Sequence, residues 1–175
     1  MTATSWLHLS GRARVRVPDG WQHIGYFGQI ATVVFPVVFL TDGRLTGRCV
    51  TGPYAKRCTS STWFAPHWKV PANGVLLDWL DVSIPGPQHQ EPRFPGTRGH
   101  AIVLARRPAK LYSGTATTSC PSSAASEIDL VIQRSRRGYP NSRLDMRACF
   151  GPRASLHTRQ SVRYMIHSLQ FRAHR

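Results

Sequence analysis

Acidic side chains are scarce in this chain. Its 175 residues include 8 Asp+Glu against 23 Lys+Arg, a formal charge of +15. Lysine is scarcer still. Only Lys56, Lys69 and Lys110 occur, so the positive charge is almost wholly arginine. With so few carboxylates, a paired acid/base site has few candidates. Asp78 and Asp81 are near in sequence, but an odd spacing on a strand puts them on opposite faces. No H-E-x-x-H, no G-x-S-x-G and no G-x-x-x-x-G-K occurs, which removes the usual zinc-protease, hydrolase-elbow and phosphate-loop signatures. No C-x-x-C occurs either. Eight His are present, but near the cysteines only His67 is available, so no metal ligand set and no cofactor site is read.

Long uninterrupted apolar runs are also missing. The longest charge-free stretch, residues 24 to 41, is broken by Gly25, Gly28, Gln29 and Pro36. Its apolar residues are mainly β-formers, so it reads as buried strand and not as a membrane span. The first residues show no basic region followed by an apolar core, so no signal peptide is read within this chain. Thirteen Pro and 14 Gly exclude a coiled coil or plain helical bundle. The 41% hydrophobic content is enough for a core, and the length fits one domain, residues 1–175.

The charge is uneven: net +4 over residues 1–90 and net +11 over residues 91–175. Such a field attracts anionic partners, including nucleic acid, anionic lipid and acidic wall polymers. A GC-rich genome, which favours Arg over Lys codons, gives the same balance without any partner.

Four Cys occur, at positions 49, 58, 120 and 149. Four allow three connectivities. The one that respects locality is Cys49–Cys58 with Cys120–Cys149. Disulfides imply an oxidising, extracytoplasmic compartment, whereas free thiols would place the chain in the cytoplasm.

Period-two alternation marks several strands. Residues 12–17 place Ala13, Val15 and Val17 on one face and Arg12, Arg14 and Arg16 on the other. Residues 30–40 predict a strand, in two segments if broken at Pro36. Residues 47–60 read as a small Cys-bounded loop. Further strands are predicted over 75–84 and 100–107, with Leu111-Tyr112 pairing back, and a loop over 113–126. The clearest hairpin joins 127–134 to 143–150. Its tip carries Arg134, Arg136, Arg137 and Arg143, with Tyr139 able to stack on a base. Val162, Met165, Ile166 and Leu169 fall at i, i+3, i+4, i+7 and predict a helix over 155–169. The class is α+β: an antiparallel sheet of about six to eight strands with a C-terminal amphipathic helix packed on it.

Three segments look familiar together: residues 15–21 (VRVPDGW), 73–79 (NGVLLDW) and 147–152 (RACFGP). The chain then closes on residues 162–171 (VRYMIHSLQF). They resemble a group of actinobacterial secreted or lipid-anchored proteins of unassigned function. More distantly, the opening Pro-x-x-Trp and the closing Ser-Leu-x-Phe are similar to the PsbP-like pattern. That resemblance implies an antiparallel sheet covered by helices, a binding or assembly role, and no catalytic residues.

The expected function is therefore non-catalytic binding at the bacterial envelope. The partner is anionic, met by the four hairpin-tip arginines, or sits in a pocket walled by Trp63, Phe64, Trp68 and Trp79. A second reading is nucleic-acid binding through the 134–143 tip. A third is a small enzyme with a substrate cavity in the sheet, acting by positioning alone.

Overall fold

The computed structural model describes residues 3–9, 13–30, 33–44, 57–59, 69–82, 98–134 and 142–172. For residues 26–30, 33–35, 57–59 and 98 the description is of the backbone alone. The strands are β1 (Thr4–His8), β2 (Ala13–Pro18), β3 (Gln22–Ile30), β4 (Val33–Thr41), β5 (Arg57–Thr59), β6 (Val75–Val82), β7 (Arg98–Leu104), β8 (Arg107–Thr115), β9 (Ser126–Gln133), β10 (Arg143–Phe150) and β11 (Gln170–Phe171). One helix, α1 (Leu156–Ser168), lies between β10 and β11.

Eight strands form a large sheet in the order β5-β3-β4-β6-β10-β9-β8-β7. Every pairing in it is antiparallel except β3 with β5. The expected α+β class is thus the observed one, with the helix C-terminal to the sheet. A separate three-stranded sheet, β1-β2-β11, was not expected from the pattern. It joins the two ends of the described chain, since β11 pairs with β2 through Gln170↔Arg14 and Phe171↔Ala13.

Side-chain alternation gives the large sheet two unlike faces. One carries Leu40, Leu77, Trp79, Leu130, Ile132, Leu144, Met146 and Phe150. It packs on Val15 and Val17 of β2 and on Val162, Met165 and Ile166 of α1. The predicted helix stripe is the one buried, and Leu169 completes it just past the helix. Ser155 caps the helix, its hydroxyl accepting from the Thr158 amide at 3.1 Å. The Thr158 hydroxyl in turn donates to Asp42 Oδ2 at 2.7 Å, while Asp42 Oδ1 accepts from the Val75 amide at 2.9 Å. One turn carboxylate thereby fixes the helix start against β6. Gly151 lets the chain leave β10, because a Cβ there would collide with the backbone oxygens of Pro71 and Ala72.

The other face carries a smaller core of Val37, Phe39, Leu76, Leu80 and Val82, together with Cys120 and Cys149. A disulfide joins those two cysteines, with their Cα atoms 5.7 Å apart. It ties the loop after β8 to β10 and is one of the two expected bridges. Cys49 and the side chain of Cys58 lie outside the described residues.

Several local expectations are corrected. β4 runs unbroken through Pro36. Its pairing with β6 begins at Val37, so the missing amide falls where β4 has a neighbour on one side only. β3 falls largely within the 24–41 stretch read as buried strand, but the strand was placed at 30–40 and a separate strand before residue 30 was not delimited, because Gly25 and Gly28 interrupt its apolar pattern. β5 lies inside the stretch read as loop. The strand predicted over 100–107 divides at Ala105 and Arg106, which both take left-handed backbone (φ 48° and 62°). They make a two-residue hairpin turn between β7 and β8 without the Asn-Gly that usually announces one. Strand β8 then continues to Thr115, three residues into the predicted loop.

Candidate anion-binding face

Most of the carboxylates are placed inside the large sheet. Asp78 and Asp81 on β6, Glu127 and Asp129 on β9, and Asp145 on β10 occupy its three central strands. The register aligns Asp78, Arg147 and Asp129 in one row, Arg147 standing between the two acids. Arg147 Nε donates to Asp129 Oδ1 at 2.5 Å. Two residues along β10, Arg143 Nε donates to Asp145 Oδ2 at 2.7 Å. Glu127 accepts from the amide and hydroxyl of Thr117, both at 3.1 Å, and its Oε2 lies 3.3 Å from Cys120 Sγ. Asp81, on the opposite face, pairs with Arg134 Nη1 at 2.9 Å.

Burial pushes the Asp78 carboxyl up to about 8; Arg147 opposes the rise, and Asp129 and Asp145 add to it. Asp129 and Asp145 rise to about 6, again through burial, restrained by Arg147 and Arg143 respectively. Among the described residues Asp78 Oδ1 has no hydrogen-bond partner. A neutral carboxylic acid tolerates that position far better than an anion does. Burial thus favours the neutral form of Asp78. Among the described residues no group of three His, Cys, Asp or Glu is arranged to hold a metal ion.

Sequestering the acids leaves the surface more basic than the composition says. Of the described carboxylates only Asp19 is exposed, while Asp42 is half-buried and bonded to Thr158 and Val75. Arg14, Arg16, Arg44, Arg106, Arg153, Arg159, Arg163 and Arg172 all reach solvent wholly or in part.

The outer face of the small sheet organises two of these. Pairing of β1 with β2 sets Trp6 opposite Arg16 and His8 opposite Arg14. The Arg14 and Arg16 guanidinium carbons lie 4.3 and 4.7 Å from the centroid of the Trp6 ring. Arg14 also donates to Gln170 Oε1 from Nε at 3.2 Å and Nη2 at 2.8 Å. Arg16 Nη1 donates to Thr4 Oγ1 at 3.2 Å. Neither arginine pairs with a carboxylate among the described residues. Two guanidinium groups are thus preset by neutral partners, with their charge uncompensated. Strand geometry spaces their Cα atoms by about 7 Å.

A groove of about 580 Å³ runs beside them, between β2 and α1. Arg16 and Thr4 form one wall, and His157, Gln160 and Tyr164 the other. A second groove, about 490 Å³ and apolar, lies over Ala101, Val103, Ala109 and Val131 at the β7 edge. Neither is lined by a carboxylate.

The residues singled out from the sequence are dispersed. Arg134 is buried, paired with Asp81 and stacked over Phe171 at 5.5 Å. Arg143 is held by Asp145. These two members of the hairpin-tip set are therefore committed inside the protein, and Arg136 and Arg137 lie outside the described residues. Trp79 is 1% exposed and belongs to the main core. Trp63, Phe64 and Trp68 lie outside the described residues. Trp6, Gln170 and the α1 wall of the groove were not singled out. The alternating arginines of β2 were visible, but the strand that brings Trp6 to them was not. Among the described residues no helix is long and apolar enough to cross a membrane. Compared with protein-family models, curated proteins and solved structures, the chain finds no match in any of the three.

Proposed function

We propose that this chain is a non-catalytic, extracytoplasmic binding domain of the bacterial envelope, and that it holds an anionic partner on the outer face of the small sheet. The observation that carries the reading is the pair Arg14 and Arg16. Both are locked on Trp6 by neutral side chains, and neither meets a carboxylate among the described residues. A preset guanidinium loses little side-chain entropy on binding and offers its fork to a phosphate, sulfate or carboxylate. The buried carboxylates of β6, β9 and β10 support the reading, because they do not compete for those forks. The Cys120–Cys149 disulfide supports the compartment.

Binding of long-chain polyphosphate tests the anionic part. Affinity should fall steeply as salt rises from low to physiological concentration. Joint Arg14→Ala and Arg16→Ala substitution should lower it about tenfold or more. Binding that is salt-independent, or indifferent to both arginines, would remove this face as the site.

A further inference from the structure

The helix that closes the core has a second stripe. His157, Gln160, Ser161 and Tyr164 fall at i, i+3, i+4 and i+7, one face of α1, and all four line the groove beside Arg16. This stripe carries no charged residue. Its aromatic ring is 43% exposed, and the side chains of His157, Gln160 and Tyr164 have no hydrogen-bond partner among the described residues. Opposite stand the Thr4 hydroxyl and the Arg16 guanidinium. The volume, about 580 Å³, is in the range of small-molecule clefts.

We infer that this groove is a sugar subsite, and that the partner is an anionic glycan with a ring in the groove and its acidic substituent on Arg16. The inference rests on the anion-binding reading above and specifies its ligand. A pyranose has an apolar C–H face and a hydroxylated edge. Tyr164 offers a ring for the first. Gln160, with both an amide donor and an acceptor, and His157 suit the second. A guanidinium in the wall of such a groove selects a sugar bearing carboxylate, sulfate or phosphate. A nucleic-acid strand is favoured less. The aromatic ring nearest the arginines, Trp6, already has two guanidinium groups at 4.3 and 4.7 Å from its centroid, and a stacking base would compete with them.

The test uses the full chain, with the Cys120–Cys149 disulfide intact, and calorimetric titration. The probes are tetrasaccharides carrying carboxylate, sulfate or phosphate groups, an uncharged tetrasaccharide, a single-stranded oligonucleotide and polyphosphate. At least one charged tetrasaccharide should bind better than the uncharged one. Tyr164→Ala and Gln160→Ala should each weaken it about fivefold and leave polyphosphate affinity unchanged, since polyphosphate has no ring to place. Arg16→Ala should weaken both. The milder Tyr164→Phe should retain most glycan affinity, because the ring is kept. If no charged tetrasaccharide binds, or the groove variants bind it as the parent does, the sugar subsite is overturned. Preference for the oligonucleotide over every glycan, weakened by Tyr164→Ala, overturns it in favour of nucleic acid. Failure of polyphosphate to bind at low salt strikes the underlying anion-binding reading instead, so the two failures are separable.

Discussion

Two arginine-bearing strands meet opposite fates. β2 reads Arg14-Val15-Arg16, and β10 reads Arg143-Leu144-Asp145-Met146-Arg147. In both, alternation puts the basic side chains on one face and apolar residues on the other. Arg14 and Arg16 face outward, stacked on Trp6 with their charge open. Arg143 and Arg147 face inward, paired with Asp145 and Asp129. The difference lies in the neighbouring strands. β10 is central, with β6 and β9 supplying acids at the register of Arg147, whereas β2 is flanked by short strands that supply Trp6, Thr4 and Gln170. Period two tells which residues share a face. The cross-strand partners decide whether that face stays open or holds the protein together.

The comparison breaks most visibly at Arg147. Arg147→Met leaves Asp129 and Asp78 buried without their cation and should cost about 3–5 kcal/mol in denaturant unfolding. Adding Asp129→Leu should recover much of the loss, because the pair is then removed as a unit. A single variant as stable as the parent would show that the inner arginine is not holding the face.

The disulfide sits at the end of the same inner face and should rank next. Cys120→Ser with Cys149→Ser opens a bridge between residues 29 apart and should cost roughly 3–4 kcal/mol by the loop-entropy account. Thermal unfolding with and without a reductant checks it. A melting temperature unmoved by both would count against a structural bridge.

Asp78 separates the two faces by pH. Its folded-state value is raised from 3.8 to about 8, so the folded chain keeps a proton that the unfolded chain releases. The folded state binds more protons between those values. Stability from this group is therefore fully present below about pH 4 and is lost as pH rises toward 8. Asp129 and Asp145, raised to about 6, add the same sign over the lower part of that window. Asp78→Asn should flatten the upper part of the profile, a difference of order 1 kcal/mol or more by pH 8. An unchanged slope between pH 6 and 8 would refute the assignment.

The smallest effect on stability belongs to the outer arginines. Arg14→Ala or Arg16→Ala should each cost no more than about 1 kcal/mol, since only exposed stacking and neutral hydrogen bonds are lost. A cost like that of Arg147 would mean that the two strands are not different in kind.

Legibility from sequence followed the range of the interaction. The 155–169 helix and the hairpin of β9 with β10 were plain, because a stripe at 3.6 and an alternation at 2.0 are local. The bounds of β3 were hidden by its glycines, and the turn at Ala105 and Arg106 by the lack of turn residues. The fate of Arg134 was hidden by distance, whereas the Asp145 that holds Arg143 lies only two positions along the same strand. Asp81 is 53 positions from Arg134, and only the register of β6 against β10 shows that an apparent loop charge is a buried ion pair. The outer site was half legible: the Arg-x-Arg face was read, but its ring, its clamp and its groove come from three other segments.

The clamp on Arg14 has a consequence for synthesis. Gln170, which fixes that guanidinium, lies 156 positions further along the chain. The small sheet closes only when β11 reaches β2, so the large sheet can assemble from residues already made while the proposed anion-binding face is still incomplete. A polypeptide emerging from the ribosome thus carries its arginines long before they are oriented to grip anything. On the proposed reading, competence to bind arrives only once Gln170 has been translated and β11 has joined β2.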